Sequence, residues 1–127
     1  MMASCANDYA VFVNKQGKVF TMGDLKIKGI NSTQAKTKTD IIELPLEHII
    51  KISSGINFTM ALDDEGKVYV WGNNTYGQLG NGGLKNSDEP ILVESLIKEK
   101  IVDISTGDNY SGVVTEKGDV YTWGFGN

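Results

Sequence analysis

Residues 71–82 read Trp71-Gly72-Asn73-Asn74-Thr75-Tyr76-Gly77-Gln78-Leu79-Gly80-Asn81-Gly82, an aromatic strand end running into a turn-rich stretch. The Trp-Gly pair that opens it returns as Trp123-Gly124, 52 residues later. The same shift aligns residues 38–75 with 90–127 without a gap. Leu44 falls on Leu96, Ile49 on Ile101, Ile52 on Ile104, Gly55 on Gly107, Gly66 on Gly118, and Val68-Tyr69 on Val120-Tyr121. Twelve of the 38 pairs are identical, and many of the others exchange like for like. Self-similarity at a fixed period marks a repeat architecture. A weaker third copy lies at the start, shifted by 49. There Gly17-Lys18-Val19-Phe20 stands for Gly66-Lys67-Val68-Tyr69, and Met22-Gly23 replaces Trp71-Gly72.

Each copy reads as short strands. Val68–Trp71 and Val120–Trp123 are β-branched and aromatic, and each follows a turn glycine. Phe58–Leu62 and Tyr110–Val114 precede those turns by three residues, which predicts a hairpin. Ile49–Ser53 and Ile101–Ser105 predict another strand, and Pro90–Val93 an edge strand where proline is tolerated. The apolar spacing of Leu92–Ile101 would suit a short helix, but the repeat register favours strand and loop. Four short strands per repeat make one blade of a β-propeller.

Composition narrows the function classes. The charged and apolar fractions, 22% and 40%, are those of a globular chain. A net charge of -4 argues against nucleic acid as main partner, since phosphate binding needs clustered positive charge. Cys5 stands alone, so no internal disulfide forms. The N-terminal MMASCANDYA has neither basic residues nor an apolar run, and no stretch approaches a membrane span. These features point to an intracellular protein, cytoplasmic or nuclear. His48 has no second histidine near it, so no metal site is expected. Gly83-Leu84-Lys85-Asn86 lacks the Gly-Lys-Ser/Thr of a phosphate-binding loop. Asp63-Asp64 sits in a hairpin turn without a base or nucleophile beside it, and solvent exposure accounts for it. No catalytic residue and no cofactor is expected.

The twelve-residue stretch closely resembles the signature of the regulator of chromosome condensation repeats. That family runs Trp-Gly, two variable positions or an Asn, then Gly-Gln-Leu-Gly. It continues through a proline-containing strand to an Ile-x-x-Ile-x-x-Gly run, here Ile101-Val102-Asp103-Ile104-Ser105-Thr106-Gly107. The resemblance covers nearly the whole chain except about Leu25–Thr37. It implies an all-β fold of about two and a half four-stranded propeller blades, part of a seven-bladed ring. The repeat units fall at approximately 1–37, 38–89 and 90–127. Such a piece starts and stops mid-blade, so the remaining blades are expected from a longer chain or from self-association.

The resemblance also implies a function. Some family members bind partner proteins through the loops of one propeller face. The best-known member promotes nucleotide exchange on the small GTPase Ran and docks on histones. In it, acidic side chains beside a histidine, in the loop after the Ser-x-Gly strand, face the GTPase. The matching loops here are Ala6-Asn7-Asp8-Tyr9, Gly55-Ile56-Asn57-Phe58 and Gly107-Asp108-Asn109-Tyr110. Tyr9, Phe58 and Tyr110 stand where that histidine would be. A protein-protein interaction module is therefore the leading expectation, with an exchange factor for a Ran-like GTPase as the alternative. The partner-facing candidates are Asp8, Asn57, Asp108 and Asn109. To these are added Lys26, Lys28, Lys36 and Lys38, in a stretch with no acid between Asp24 and Asp40. A small GTPase or histones are the expected partners.

Overall fold

The computed structural model describes residues 2–6, 9–23, 41–74, 77, 79–80 and 86–124. They form three antiparallel sheets. The first is β1 (Met2–Cys5), β2 (Tyr9–Val13), β3 (Val19–Gly23) and β4 (Ile42–Glu43). The second is β5 (Ile49–Ser54), β6 (Phe58–Asp63), β7 (Val68–Gly72) and β8 (Ser87–Leu92). The third is β9 (Ile101–Thr106), β10 (Tyr110–Thr115) and β11 (Val120–Gly124). Within each sheet the strands pair in chain order as a meander. β5 lies against β1 and β2, and β9 against β5 and β6. The sheets therefore stack face to face with their first strands side by side, as propeller blades do.

Strand alternation decides what lies between the sheets. In β2, Tyr9, Val11 and Val13 are buried while Ala10 and Phe12 are only partly so, the period-2 pattern of a strand. The buried set joins Leu44, Leu46, Ile49, Ile52, Ala61 and Trp71 in one core between the first and second sheets. Phe58, Met60, Leu62, Val68 and Val70 of the second sheet join Leu96, Ile101, Ile104 and Val113 in the next. β6 is buried along its whole length, because both faces of the middle sheet are covered. Each sheet thus has a forward face (Tyr9, Val11, Val13 in β2) and a rear face (Thr59, Ala61 in β6). Across the junctions, the Ile49 N–H donates to the Gly17 carbonyl at 3.0 Å and the Ile101 N–H to the Gly66 carbonyl at 3.1 Å.

One turn is used three times. The Asn14 Oδ1 accepts from the N–H groups of Gln16 and Lys18, and the Asp63 Oδ1 from those of Glu65 and Lys67. At the third copy the Thr115 Oγ1 accepts from the Asp119 N–H. These side chains hold the hairpin as an Asx- or hydroxyl-bonded turn. Solvent exposure, the expectation for the Asp63-Asp64 pair, is thereby corrected for Asp63. Its side chain is buried as the acceptor that shapes the turn. Asp63→Ala should cost about 1–3 kcal/mol through the two N–H groups left without their acceptor. Asp63→Asn, which keeps an oxygen there, should cost less than half as much in urea unfolding.

Two local expectations are refined. Pro90 lies in β8, the outermost strand of its sheet, and that strand ends at Leu92. Strand and loop were expected for Leu92–Ile101, whereas Glu94–Leu96 forms a single 3-10 turn. Closing that turn buries Leu96 in the second core, which a plain loop would leave in water.

Candidate functional site

The registers place Tyr9 opposite Gly23, Phe58 opposite Gly72, and Tyr110 opposite Gly124. The turns at 55–57 and 107–109, between first and second strands, therefore line one end of the stack. The hairpins around Gly17, Gly66 and Gly118 line the other. Asn57, Asp108 and Asn109 all sit at the first end, in the turns of neighbouring sheets. The Ile56 N–H donates to the Asp108 carbonyl at 2.9 Å, so the two turns are locked edge to edge. Their approach is close. A Cβ on Gly55 would lie 2.6 Å from the Gly107 carbonyl oxygen and 2.1 Å from the Phe58 ring. Glycine is the residue that allows both contacts.

Behind these turns the scaffold is rigid. The Phe58 ring is fully buried, and the Tyr9 hydroxyl shares a 2.7 Å hydrogen bond with the Thr59 hydroxyl across the first junction. The Ser54 hydroxyl meets the same Thr59 Oγ1 at 2.9 Å. Burial pushes the Tyr9 phenol far above its ordinary range, with the Thr59 hydrogen bond opposing. Tyr9 thus stays a neutral hydrogen-bonding group. On this backing the Asp108 side chain is exposed, and Asn109 and Asn57 are partly so. The Asn57 Oδ1 itself is shut from solvent without a hydrogen-bond partner among the described residues. Along the first strands, the Lys51 ammonium bonds the Asp103 carboxylate, and the Ser53 and Thr106 hydroxyls meet at 2.8 Å. The Lys51 hydrogen bond holds the Asp103 carboxyl below the usual range, with burial opposing and the Ile104 N–H assisting. This clasp is in place above the ordinary carboxylate range and is lost as pH falls through the lowered one.

The opposite end carries a second concavity that residue-by-residue reading misses. A groove of about 440 Å³ lies between the Leu44-Pro45-Leu46 connection and the β6–β7 hairpin. Glu43, Glu47, His48, Glu65, Lys67 and Tyr69 are among its lining. His48 holds a left-handed backbone at φ 58, and Lys18 pairs with Glu43 at 3.6 Å. Burial, then the charge of Asp63, raises the Tyr69 phenol. The groove joins residues from two sheets about 20 positions apart, and no local motif marks it.

Of the expected site residues, Asn57, Asp108 and Asn109 are brought together. Asp8 and Lys26, Lys28, Lys36 and Lys38 lie outside the described residues. Sequence reading overlooked Ile56, whose N–H fixes the Asp108 turn. Among the described residues no group of three or more His, Cys, Asp or Glu is placed to hold a metal ion. None of their helices is long and apolar enough to cross a membrane.

Comparison with known proteins agrees with this geometry. The profile of the regulator of chromosome condensation (RCC1) repeat matches residues 65–114, and a second profile of the same repeat matches residues 49–78. The human E3 ubiquitin-protein ligase HERC2 is 35% identical over 119 residues, covering 90% of this chain and 2% of that protein. Among solved structures, human WBSCR16 superposes with a TM-score of 0.84 at 19% identity, over 98% of this chain and 33% of that one. Prp20p from Saccharomyces cerevisiae superposes with a TM-score of 0.79 at 24% identity, over 97% of this chain and 30% of that one. Its structure is described with its binding properties to Gsp1p and histones. The chain thus spans a third or less of each of these proteins.

Proposed function

The chain belongs to the regulator of chromosome condensation repeat family, and from that premise we propose that it serves as a docking surface for a basic protein partner. The observation that carries this reading is the locked pair of turns at 55–57 and 107–109, which holds Asp108 exposed on a rigid backing. Recognition residues concentrate on such loops because the scaffold fixes them in advance. The net charge of -4 suits a positively charged partner. Prp20p, a structural neighbour, is described as binding histones, a partner class of that charge. The stretch of HERC2, a ubiquitin ligase, that this chain matches is 2% of that protein, which fits a module that binds rather than reacts.

Nucleotide exchange on a Ran-like GTPase, with association to chromatin, is the alternative. The exposed acid at Asp108 favours it. Against it, Phe58 and Tyr9 fill the family's histidine position as buried core rings. The lysines at 26, 28, 36 and 38 are proposed as a second contact for an acidic patch on the same partner.

Purified core histones and a GDP-loaded Ran-like GTPase are the two probes. Asp108→Lys should weaken histone binding about fivefold, the scale of one exposed ion pair, while Glu116→Lys at the opposite end leaves it unchanged. GDP release should keep its uncatalysed rate. Acceleration of release by the chain, lost in Asp108→Ala, would establish the alternative. Retention of neither probe would count against the reading.

A further inference from the structure

The two junctions between sheets are bridged by connections of different length between equivalent anchors. At one end the Leu44 N–H donates to the Val19 carbonyl at 2.9 Å, and the Val93 N–H to the Val68 carbonyl at 2.9 Å. At the other the Ile49 N–H reaches the Gly17 carbonyl as the Ile101 N–H reaches the Gly66 carbonyl. Leu46 and Leu96 are the core side chains that lie between these anchors. Four residues, 45–48, make the first connection and seven, 94–100, the second.

The longer path winds into the 3-10 turn at Glu94–Leu96, followed by exposed Ile97 and Lys98. The shorter path has no residues for such a turn. It reverses at His48, whose carbonyl accepts the Asp64 N–H at 3.0 Å. That reversal puts His48 at φ 58, a left-handed backbone that costs energy in any residue but glycine. Lys100, which accepts the Glu116 N–H in the same way, needs no such twist. The missing length coincides with the groove of about 440 Å³ between the first connection and the β6–β7 hairpin. Sites for ligands run from about 300 to 1,000 Å³. Both walls are on hand, β4 with its connection on one side and the second sheet on the other.

The lining selects the occupant. Pro45 and Tyr69 give apolar surface, and four of the ten lining residues are carboxylates against one lysine. Asp63 is engaged in the hairpin turn, while Glu43 and Glu65 face Lys18 and Lys67 at 3.6 and 3.9 Å. Exposed Glu47 has no ion pair among the described residues.

We propose that this groove takes a short basic segment of a partner protein, an apolar residue followed by a lysine. Ile97-Lys98, which the second connection carries where the first is short, supplies the pattern. The apolar side chain lies on Pro45 and Tyr69, and the ammonium meets Glu47. A lysine keeps its head near water while its stem covers apolar surface, which suits an open groove. The site lies at the opposite end from the 55–57 and 107–109 turns and stands independently of the docking reading there.

NMR titration of the full chain with a capped tetrapeptide of alanine, isoleucine, lysine and alanine tests this. The amide signals of Glu47, His48, Glu65 and Lys67 should move, and those of residues 55–57 and 107–109 should stay in place. Glutamate in place of the peptide's lysine brings like charge to the groove and should weaken binding about tenfold or more. Glu47→Lys should weaken the lysine peptide about fivefold, the scale of one exposed ion pair. Replacing residues 45–48 by the sequence of residues 94–100 supplies the missing turn and should abolish binding. Circular dichroism checks that the graft keeps its sheet content. Should it not, Glu47→Lys carries the test, because that exposed side chain is no part of the core. Signals unmoved at millimolar peptide, or equal binding of the glutamate peptide, would overturn the proposal. Full affinity in Glu47→Lys, or in a folded graft, would overturn it equally.

Discussion

Trp71→Ala should lower the unfolding free energy by about 3–5 kcal/mol, the range for emptying a buried large aromatic site. The indole is fully buried on the rear face of the second sheet, in the core that also holds Tyr9, Val11, Leu44 and Leu46. It therefore ties two blades together rather than filling one. Its N–H has no hydrogen-bond partner among the described residues, so the loss is one of packing. Small domains are stable by only about 5–15 kcal/mol, and the substitution should remove a large share of that margin. Trp123 is partly buried against the second core, and Trp123→Ala should cost somewhat less. Urea unfolding followed by tryptophan fluorescence and circular dichroism reads both. A Trp71→Ala cost below about 1 kcal/mol would contradict the assignment of Trp71 as a bond between blades.

Gly72→Ala should be the second severe substitution, at about 3 kcal/mol or more, from strained backbone together with overpacking. Gly72 holds φ at +111, and a Cβ there would fall 2.4 Å from the Asn57 carbonyl oxygen and 2.6 Å from the Phe58 Cα. Both obstacles are backbone and cannot swing aside. The clash lies directly under the docking turns, so binding should fall with stability. Gly118→Ala is the informative contrast. Its φ is +91, yet among the described residues no atom lies within 4 Å of the added carbon. Only the left-handed strain remains, about 1–2 kcal/mol. Differential scanning calorimetry should rank Gly72→Ala well below Gly118→Ala in melting temperature.

The blades were legible in the sequence because the β-branched and aromatic runs at Val68–Trp71 and Val120–Trp123 each follow a turn glycine and the 52-residue repeat supplies the register. A reader aligning Trp71 with Trp123 already holds the meander. The Asp63 turn was half legible. Its position matches Asn14 and Thr115, three residues able to accept a backbone N–H, but burial of the carboxylate depends on the sheet packed beside it. The 3-10 turn at Glu94–Leu96 was ambiguous because a single turn has too few residues to show a helical period. Asp108 was found through its loop, whereas the bond from Ile56 N–H to the Asp108 carbonyl is made by backbone and leaves no mark on residue identity.

Site-specific photo-crosslinking tests the docking account most directly. A benzophenone amino acid replaces Asp108 at one end of the stack or Glu116 at the other, in separate samples of the full chain mixed with core histones. Discrete adducts from position 108 and none from position 116 are expected. Adducts of equal yield from both positions, or from position 116 alone, would contradict the assignment of the 55–57 and 107–109 turns as the docking surface.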